Sequence, residues 1–342
     1  MNANDIKNKI KSGALSGFYI MAGEEDYLKR HFARELRSAA LTDEVFASFN
    51  HTVFDGDELD LSAMREALMA PPMMGDYKVV EWRFADLDRL KESEINALIR
   101  FAEEKEDYPY ALLIITALQD GFDVGSERKR SRLFTRLAEH FEIAVFDKST
   151  DSQLIAWLKR HFDAEEIGSD PASLGALLMR VGHSMYTLSS EVEKLAAYAK
   201  ANGLDRITPE LVDSITSPNL ETDAFALSNA IIEKNAKKAF AALEDMRAQR
   251  IEPLAVLAQL SRTYGELLSV SLLNDEGKSS AFIESTMKLH SYRARLYIGA
   301  AKKLGTKRIS TSLESLIETE AKAKSGGSTG YKAIEIFITK NI

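Results

Sequence analysis

The residues after the first apolar strand of the sequence stand where an α/β nucleotide-binding protein has its phosphate loop. The run 18–22 leads directly into Gly23, Glu24 and Glu25 and then into a helical pattern. A loop of the form GxxxxGK[ST] binds phosphates through backbone N–H groups and a lysine. Here three consecutive carboxylates, ending with Asp26, would repel a triphosphate but suit the positive end of a helix. The sequence therefore predicts a charge-capped helix start that binds no nucleotide.

A second candidate phosphate loop is Gly277-Lys278-Ser279, the single Gly-Lys-Ser of the chain. Leu272 stands where the first loop glycine is required, and the surrounding pattern is helical, so we interpret these residues as an ordinary loop. Magnesium-dependent hydrolysis also needs paired carboxylates at a strand end, but Glu81 and Asp120 are isolated in the sequence. The sequence predicts no ATP hydrolysis by this chain.

The sequence pattern also lacks metal ligands and activated nucleophiles. The histidines never recur at the i, i+4 spacing of a helical zinc site, and a chain without cysteine has no thiolate ligand. Ser184 follows His183 but lacks the G-x-S-x-G elbow of a hydrolase, so we interpret this dipeptide as inert. We therefore predict no catalytic residue, no metal and no cofactor. The histidines are His31, His51, His140, His161, His183 and His290.

The composition is that of a globular protein. At about 150 residues per domain, the 342 residues suggest two or three domains. Hydrophobic residues make up 45% and charged residues 28%, which excludes disordered and collagen-like classes. The absence of cysteine fits a reducing compartment, so we expect a cytoplasmic protein. The longest apolar run, Ala111–Leu118, is far shorter than the roughly 20 residues that cross a bilayer, and we expect neither a membrane span nor secretion.

The charge is unevenly distributed along the chain. The net charge of −8 combines −12 over residues 1–215 with +4 over residues 216–342, and residues 286–342 alone carry +7. An acidic average disfavours a protein that coats nucleic acid. The basic C-terminal stretch is nevertheless suited to an anionic partner.

The elements that must position these residues follow from the alternation of strand-like runs with helical patterns over the first 147 residues. Such alternation indicates a mostly parallel sheet with helices on its faces. We expect strands at Phe18–Ala22, Ser48–Phe54, Lys78–Trp82, Leu112–Thr116 and Ile143–Phe146, and helices at Asp26–Leu41, Asp60–Ala70, Asp88–Glu104 and Glu127–Phe141.

After Lys148 the strand pattern disappears, and apolar residues recur every three or four positions, as is typical of amphipathic helices. Thr208 and Pro209 supply an N-cap hydroxyl and a first-turn proline for one of them. The segment Thr216–Asn219 then breaks the helical pattern. We therefore predict an α/β domain over residues 1–147, followed by two all-α domains over residues 148–215 and 216–342.

Two further stretches have the composition of a binding surface. The run Glu127–Arg132, with Arg136 one turn further on, could contact phosphates, although a solvated helix face is the commoner explanation. Met73 and Met74 lie between a proline pair and the turn before a strand. Such a pair is more often buried in a core than exposed for docking, so on this pattern alone core burial is favoured.

Several segments carry a family resemblance, in order and along nearly the whole chain. They are Phe18–Leu28, Phe49-Asn50 leading to Phe54–Gly56, Pro72–Val80, Glu191–Tyr198, Ile207–Val212, Ala224–Leu227 and Leu313–Ser325. Together they resemble the delta subunit of the bacterial DNA polymerase III clamp loader. The resemblance implies an AAA+-like α/β domain that has lost its nucleotide site, so that Gly23, Glu24 and Glu25 form a degenerate, non-binding phosphate loop.

The same resemblance implies a small helical lid over residues 148–215 and a collar over residues 216–342 that joins gamma/tau and delta-prime type subunits in a hetero-pentamer. The ATP-handling subunits of such loaders have a Ser-Arg-Cys element, which a chain without cysteine cannot contain. The string Ser131-Arg132-Leu133 precedes a helical pattern, and we assign no arginine finger to it.

The resemblance further implies that Met73 and Met74, with Pro72, form a wedge that binds the beta sliding clamp and opens it for loading onto primed DNA during replication. The family's usual Leu-Phe type pair is Met-Met in this chain. Methionine adapts to a socket of imperfect shape but loses more rotamer entropy on binding. We therefore expect the role to persist with an altered affinity.

The basic residues Lys302, Lys303, Lys307 and Arg308 are candidates for contact with DNA phosphates or with collar neighbours, because phosphate contact requires positive charge and no sequence code. The implied function is that of a subunit of the polymerase holoenzyme, a nucleotidyltransferase complex, without a catalytic site of its own. Two alternatives stay open: an active AAA+ or other P-loop ATPase, and a helical adaptor unrelated to replication.

Overall fold

The computed structural model of the chain describes residues 1, 3–56, 60–126, 128–287, 289, 291–325 and 330–342. These residues form two units, Met1–Ser149 and Thr150–Ile342. The elements of the first unit are α1 (Ala3–Ser12), β1 (Gly17–Ala22), α2 (Asp26–Ala40), α3 (Glu44–Ala47), β2 (His51–Asp55), α4 (Leu61–Met69), β3 (Lys78–Ala85), α5 (Glu92–Glu103), β4 (Ala111–Ala117), β5 (Gly125–Ser126), β6 (Lys129–Arg130), α6 (Arg132–Leu137) and β7 (Glu142–Val145), with 3-10 turns at Leu87–Arg89 and Glu104–Asp107.

The first unit contains a five-stranded parallel sheet in the order β2-β3-β4-β1-β7. In β1, Tyr19 lies beside Ile114 of β4 on one side and Glu142 of β7 on the other. Strands β1 and β4 are buried almost throughout, as expected for parallel strands covered on both faces. The predicted α/β fold with a mostly parallel sheet is confirmed, and each of its five strands overlaps a predicted one.

Alternate residues of the strands face two different hydrophobic cores. Phe18 and Ile20 of β1 point to the core shared with α4, α5 and α6, whereas Tyr19 and Met21 point to the core shared with α1 and α2. This alternation follows from the two-residue period of a strand. The strand ends are therefore held rigidly, and the loops at either edge of the sheet start from fixed points.

The predicted helix over residues 127–141 is wrong in its first half. Strands β5 and β6 form a short hairpin there, and α6 begins only at Arg132. Gly125 has a φ of +66°, and a Cβ on it would lie 2.5 Å from the Lys129 carbonyl oxygen, so the chain turns sharply where a helix was expected. Ser131 then accepts the Phe134 N–H at 3.0 Å and starts the helix. Glu127 lies outside the described residues.

The second unit is helical, with one isolated bridge between Gly168 and Arg206. The predicted cap at Thr208 is confirmed, since its Oγ1 accepts the Leu211 N–H at 3.3 Å. The helices are α7 (Asp151–Ala164), α8 (Pro171–Val181), α9 (Met185–Ala201), α10 (Pro209–Ile215), α11 (Leu220–Ile232), α12 (Ala236–Ala248), α13 (Pro253–Asp275), α14 (Ser280–Met287), α15 (Ser291–Leu304), α16 (Thr306–Lys324) and α17 (Tyr331–Asn341).

Helix α13 is central to the core over residues 224–342. It packs against α11 and α14 to α17, and it buries Leu260, Tyr264 and Leu267. The Tyr264 ring meets Phe337 of α17 edge-on, with 6.0 Å between ring centroids. The residues from 150 to 342 form one unit, so the division at residue 216 stays a prediction. Within the described ranges, no helix has the length and apolarity needed to cross a membrane.

Candidate functional site

The loop between α4 and β3, residues 70–77, carries the methionine pair singled out from the sequence. Helix α4 ends because the prolines Pro71 and Pro72 lack the N–H that would continue it, and Ala70 already has an extended backbone. Tyr110 donates its hydroxyl to the Met69 carbonyl oxygen at 2.6 Å and fixes the last turn. Because β3 is parallel to its neighbours, this loop lies at the amino ends of the strands.

Both methionine side chains are exposed. Met73 is 50% exposed and Met74 is 76% exposed. The interpretation that the pair is buried in the core is therefore wrong. The hydrophobic core of the unit does not include these two side chains. Met74 also has a φ of +51°, a left-handed backbone that is uncommon for a residue other than glycine. The loop thus holds two large apolar side chains in water on a constrained backbone.

A buried amide holds the loop at Met73. Asn50, between α3 and β2, is 3% exposed. Its Oδ1 accepts the Met73 N–H at 2.7 Å, and its Nδ2 donates to the Met73 carbonyl oxygen at 2.8 Å. Sequence reasoning noted Asn50 within a family segment but missed this role. Its two partners are atoms of a residue 23 positions away, which no periodicity reveals.

Further apolar side chains are exposed on the segment that contains Asn50. Phe49 is 58% exposed and Val45 is 73% exposed. The backbone of Phe49 is fixed, because the buried Lys78 donates its Nζ to the Phe49 carbonyl oxygen at 2.8 Å. Burial lowers the pKa of Lys78. The amino end of the sheet therefore has several exposed apolar groups on two segments that are tied together.

A cavity of about 380 Å³ opens between these two segments. Its charged groups are the carboxylates of Asp43 and Asp76, and its apolar wall includes Phe46 and Met74. The complete lining is Ala40, Leu41, Thr42, Asp43, Phe46, Ala47, Asn50, Met74, Gly75, Asp76 and Tyr77. The arrangement is chemically suited to contact another protein, since it offers apolar surface and hydrogen-bond acceptors.

The predicted degenerate phosphate loop lies at the opposite, carboxyl end of the sheet. Gly23 has a φ of +100°, and a Cβ on it would lie 2.4 Å from the Phe146 carbonyl oxygen. The same oxygen accepts the N–H of Glu25 at 2.9 Å. An N–H that is already donated cannot bind a phosphate unless this bond breaks. Glu24 is exposed, and burial raises the pKa of Glu25.

A buried lysine lies at the same carboxyl end of the sheet. Lys29 of α2 has a fully buried side chain, and its Nζ donates to the Ala117 carbonyl oxygen of β4 at 2.8 Å. The Nζ also pairs with Asp26 Oδ1 at 2.7 Å. This positive charge is therefore used to join α2 to the end of β4, and it is not presented to a ligand.

Glu81, an isolated carboxylate in the sequence, is part of an ion-pair cluster. It is nearly buried and meets Arg37 Nη1 at 2.9 Å, Arg83 Nη2 at 2.7 Å and His51 Nε2 at 3.5 Å. Burial by itself would raise the pKa of Glu81, but His51, Arg83 and Arg37 together lower it to about 2. The cluster has one acid among three basic groups, which suits a structural role.

Other predicted features have structural partners. Ser184 caps α9 by accepting the Thr187 N–H at 3.4 Å, while His183 Nε2 lies 2.9 Å from Asp151 Oδ1, so the two side chains have separate partners. Within the part of the chain that the structure describes, no cluster of three metal-ligating side chains occurs. His290 lies outside that part.

The basic run after Gly125 is partly engaged within the fold. The Arg130 guanidinium lies 4.7 Å from the centroid of the Phe134 ring, and Arg136 bonds Glu92 and Asn96. Arg128 and Lys129 are exposed on the hairpin. The run is therefore a basic hairpin followed by a helix, and it is not one solvated helix face.

The basic residues near the C-terminus lie at the junction of two helices. Lys302 and Lys303 end α15, and Lys307 and Arg308 begin α16. The three lysines are exposed, whereas Arg308 is half-buried and donates its Nη2 to the Asn341 carbonyl oxygen at 2.9 Å.

Arg308 also borders a cavity of about 470 Å³. Two further basic side chains, which sequence reasoning missed, line the same cavity: Lys234 and Lys340. Lys234 follows the end of α11 and Lys340 lies in the last turn of α17, far apart in the sequence. The remaining lining residues are Thr311, Ser312, Asn341 and Ile342.

Comparison with known proteins gives matches over most of the chain. The family model described as DNA polymerase III, delta subunit matches residues 19–143, and the model of the C-terminal domain of the DNA polymerase III delta subunit matches residues 221–341. DNA polymerase III subunit delta of Bacillus subtilis (strain 168) is 22% identical over 340 residues, which cover 98% of this chain and 95% of that protein.

Two further matches agree with these. The probable DNA polymerase III subunit delta of Aquifex aeolicus (strain VF5) is 25% identical over 267 residues, covering 76% of this chain and 72% of that protein. Among solved structures, the Bacillus subtilis DNA clamp loader delta protein has a TM-score of 0.70 at 20% identity, with 98% of each chain covered. At this identity the structural likeness establishes the fold.

Proposed function

The chain belongs to the DNA polymerase III delta subunit family, and from this premise we propose that it binds and opens the beta sliding clamp without hydrolysing ATP. Its first unit has an AAA+-like α/β fold, and the second unit is helical. Members of the family are subunits of the clamp loader in DNA replication. The observation that carries the proposal is the exposure of Met73 and Met74 on a loop held by Asn50.

The methionine pair supplies enough apolar surface for a strong contact. Burying a methionine side chain from full exposure contributes roughly 1.5–3 kcal/mol, and the two side chains still expose 50% and 76% of their surface. Their burial in a clamp pocket, with Pro72 beside them, would contribute about 3 kcal/mol, which corresponds to about a 100-fold change in the dissociation constant.

Clamp opening requires that the loop bind two clamp conformations unequally. A ligand shifts a conformational equilibrium only by the difference between its affinities for the two states. The wedge therefore opens the clamp because it fits the distorted interface better than the closed one. The proposed partners for the loading step are gamma/tau and delta-prime type subunits, arranged with this chain in a hetero-pentamer around primed DNA.

Support for a non-hydrolysing role comes from the carboxyl end of the sheet. The Glu25 N–H is donated to Phe146, the loop has carboxylates where a phosphate would sit, and the Lys29 ammonium is used inside the fold. These features disfavour the alternative of an active P-loop ATPase. ATP bound by neighbouring subunits would then determine when the wedge is presented to the clamp.

The second unit supplies the proposed lid, residues 148–215, and the proposed collar, residues 216–342. Support for a nucleic-acid contact in the collar is the net charge of +4 over residues 216–342 and the exposure of Lys302, Lys303 and Lys307. Arg308 has Lys234 and Lys340 beside it on one cavity. The absence of cysteine supports action in the cytoplasm.

The test is a double substitution of the wedge, Met73→Ser with Met74→Ser, in the full chain. We expect the affinity for the clamp to fall about 100-fold, with the circular dichroism spectrum and melting temperature nearly unchanged because both side chains are exposed. Met179→Ser is the matched control, since Met179 on α8 is also 50% exposed. Unchanged clamp binding by the double variant, or a large loss of stability, would refute the wedge assignment.

A further inference from the structure

Asn50 pairs with Met73 as one strand residue pairs with another. Its Oδ1 accepts the Met73 N–H at 2.7 Å, and its Nδ2 donates to the Met73 carbonyl oxygen at 2.8 Å. The two bonds need a planar side chain that presents an acceptor and a donor side by side, as an amide does, and alanine or an ionised aspartate cannot make both bonds. The backbone of Met73 is therefore held in one orientation by a single buried side chain.

The backbone of Asn50 is itself hydrogen-bonded to the sheet. The Asn50 N–H donates to the carbonyl oxygens of Phe46 and Ala47, both at 3.2 Å, and the Asn50 carbonyl oxygen accepts the Val79 N–H at 2.8 Å. Lys78 supports the preceding residue through its bond to the Phe49 carbonyl oxygen. Strand β3 is buried and fixes Asn50, and Asn50 in turn fixes the backbone of Met73. The methionine side chains of this loop are nevertheless exposed to solvent.

Neither methionine side chain of the loop is held in place by core burial. Met73 and Met74 are exposed, and the left-handed backbone at Met74 is a conformation that a free chain seldom adopts. A flexible loop would lose conformational entropy on binding, and its apparent affinity falls in proportion to the fraction of molecules in the competent conformation. A device that preorganises the loop therefore strengthens binding without touching the partner.

We propose that Asn50 is a positioning residue that fixes the Met73-Met74 pair in its clamp-binding orientation. The inference rests on the proposed function of the loop and adds to it a residue that makes no contact with the clamp. Gly75 supports the same arrangement, because a Cβ on it would lie 3.2 Å from Asn50 Nδ2 and crowd the amide. Asn50 acts through the backbone of Met73, and the methionine side chains make the contact.

The experiment compares Asn50→Ala and Asn50→Asp with the unsubstituted full chain. Equilibrium binding to the sliding clamp is measured from pH 8 to pH 5. We expect Asn50→Ala to bind about tenfold more weakly at every pH, because it makes neither bond. Asn50→Asp should be equally weak at pH 8 and recover toward the unsubstituted affinity at pH 5, because a protonated carboxyl again offers one O–H donor and one acceptor.

The surroundings of residue 50 favour this recovery. An ionised carboxylate there would be buried and would face the Met73 carbonyl oxygen, and Asp43 and Asp76 line the same cavity, so the pKa of an introduced aspartate should be raised. Lys78 acts in the opposite sense, but its Nζ is already directed at the Phe49 carbonyl oxygen. The unsubstituted chain and Asn50→Ala, measured over the same pH range, report any response of the clamp itself.

A second measurement tests positioning without the clamp. In the free chain with ¹³C-methyl-labelled methionine, Asn50→Ala should shift the Met73 and Met74 resonances and leave those of the buried Met21 and Met64 in place. Unmoved Met73 and Met74 resonances, or no recovery of Asn50→Asp at pH 5, would overturn the positioning role. Shifted resonances together with full clamp binding by the Met73→Ser, Met74→Ser variant would instead refute the proposed function and retain the positioning.

Discussion

The stability of the first unit should depend on Glu81 in a way that pH reveals. Glu81 lies in the middle of β3, where its carboxylate meets Arg37, Arg83 and His51. The pKa of Glu81 is lowered from 4.5 to about 2 in the folded chain. Because the folded pKa is the lower one, the stabilisation is fully present above the unfolded pKa and is lost as the pH falls toward the folded value.

The magnitude follows from this difference. Lowering the pKa of Glu81 from 4.5 to about 2 corresponds to about 3 kcal/mol at neutral pH, and the linkage relation predicts that about 2 kcal/mol of it is lost between pH 7 and pH 3. Glu81→Gln removes the charge and replaces one of the two carboxylate oxygens that accept from Arg37 and Arg83 with an NH2 group, which cannot accept a hydrogen bond. The variant should therefore be less stable by about 3 kcal/mol at pH 7, and the difference should shrink as the pH falls.

The assay is urea unfolding of the full chain, followed by the fluorescence of Trp82, which is buried next to Glu81. A Trp157→Phe background removes the signal of the second unit, because Trp82 and Trp157 are the two tryptophans of the chain. The free energies of unfolding of this background, with and without the Glu81→Gln substitution, are compared from pH 7 to pH 3. Two parallel pH profiles would refute the argument, since they would show that Glu81 has the same pKa in the folded and unfolded states.

Two further predictions concern the other charged sites. Lys29→Met should lower the free energy of unfolding by about 2 kcal/mol, measured with the same Trp82 signal, because the Ala117 carbonyl oxygen loses its buried donor; unchanged stability would contradict the structural role of Lys29. Charge reversal of Lys302, Lys303 and Lys307 should weaken binding of the assembled loader to primed DNA and reduce its salt dependence. Lys237→Glu on α12 is the matched exposed control, and an unaltered salt dependence would assign the three lysines to the collar surface.

The parallel sheet could be predicted from the sequence because its strands are buried on both faces and appear as short apolar runs, such as Leu112–Thr116. The strand order β2-β3-β4-β1-β7 could not be predicted in the same way, since periodicity describes one segment at a time. The hairpin before α6 was missed for a similar reason. It depends on the positive φ of Gly125 and the cap at Ser131, which override the helical pattern of the residues around them.

The candidate site shows a different limit. Met73 and Met74 have the same residue types whether they are buried or exposed, so only the fold around them decides between the two. Family resemblance predicts their role, but it did not reveal that Asn50 binds the backbone of Met73. The partner atoms of Asn50 are backbone atoms, so Met73 could be replaced by another residue without altering the bonds, and the pairing leaves no mark on the type of residue at position 73.

Under the proposed function, the two ends of the sheet separate clamp binding from stability. Strand β3 has 8 residues, and at about 3.3 Å per residue it places the proposed wedge loop roughly 25 Å from the carboxyl end, where the predicted degenerate phosphate loop lies. At the carboxyl end, the Lys29 ammonium and the Phe146 carbonyl oxygen already have hydrogen-bond partners within the fold. This end can therefore stabilise the sheet without a ligand. The loop at the amino end buries neither methionine, so these two side chains contribute little to stability. Substitutions at Lys29 or Glu81 should therefore lower stability without changing the intrinsic clamp affinity of the folded chain. Substitutions at Met73 and Met74 should lower the clamp affinity and leave stability nearly unchanged.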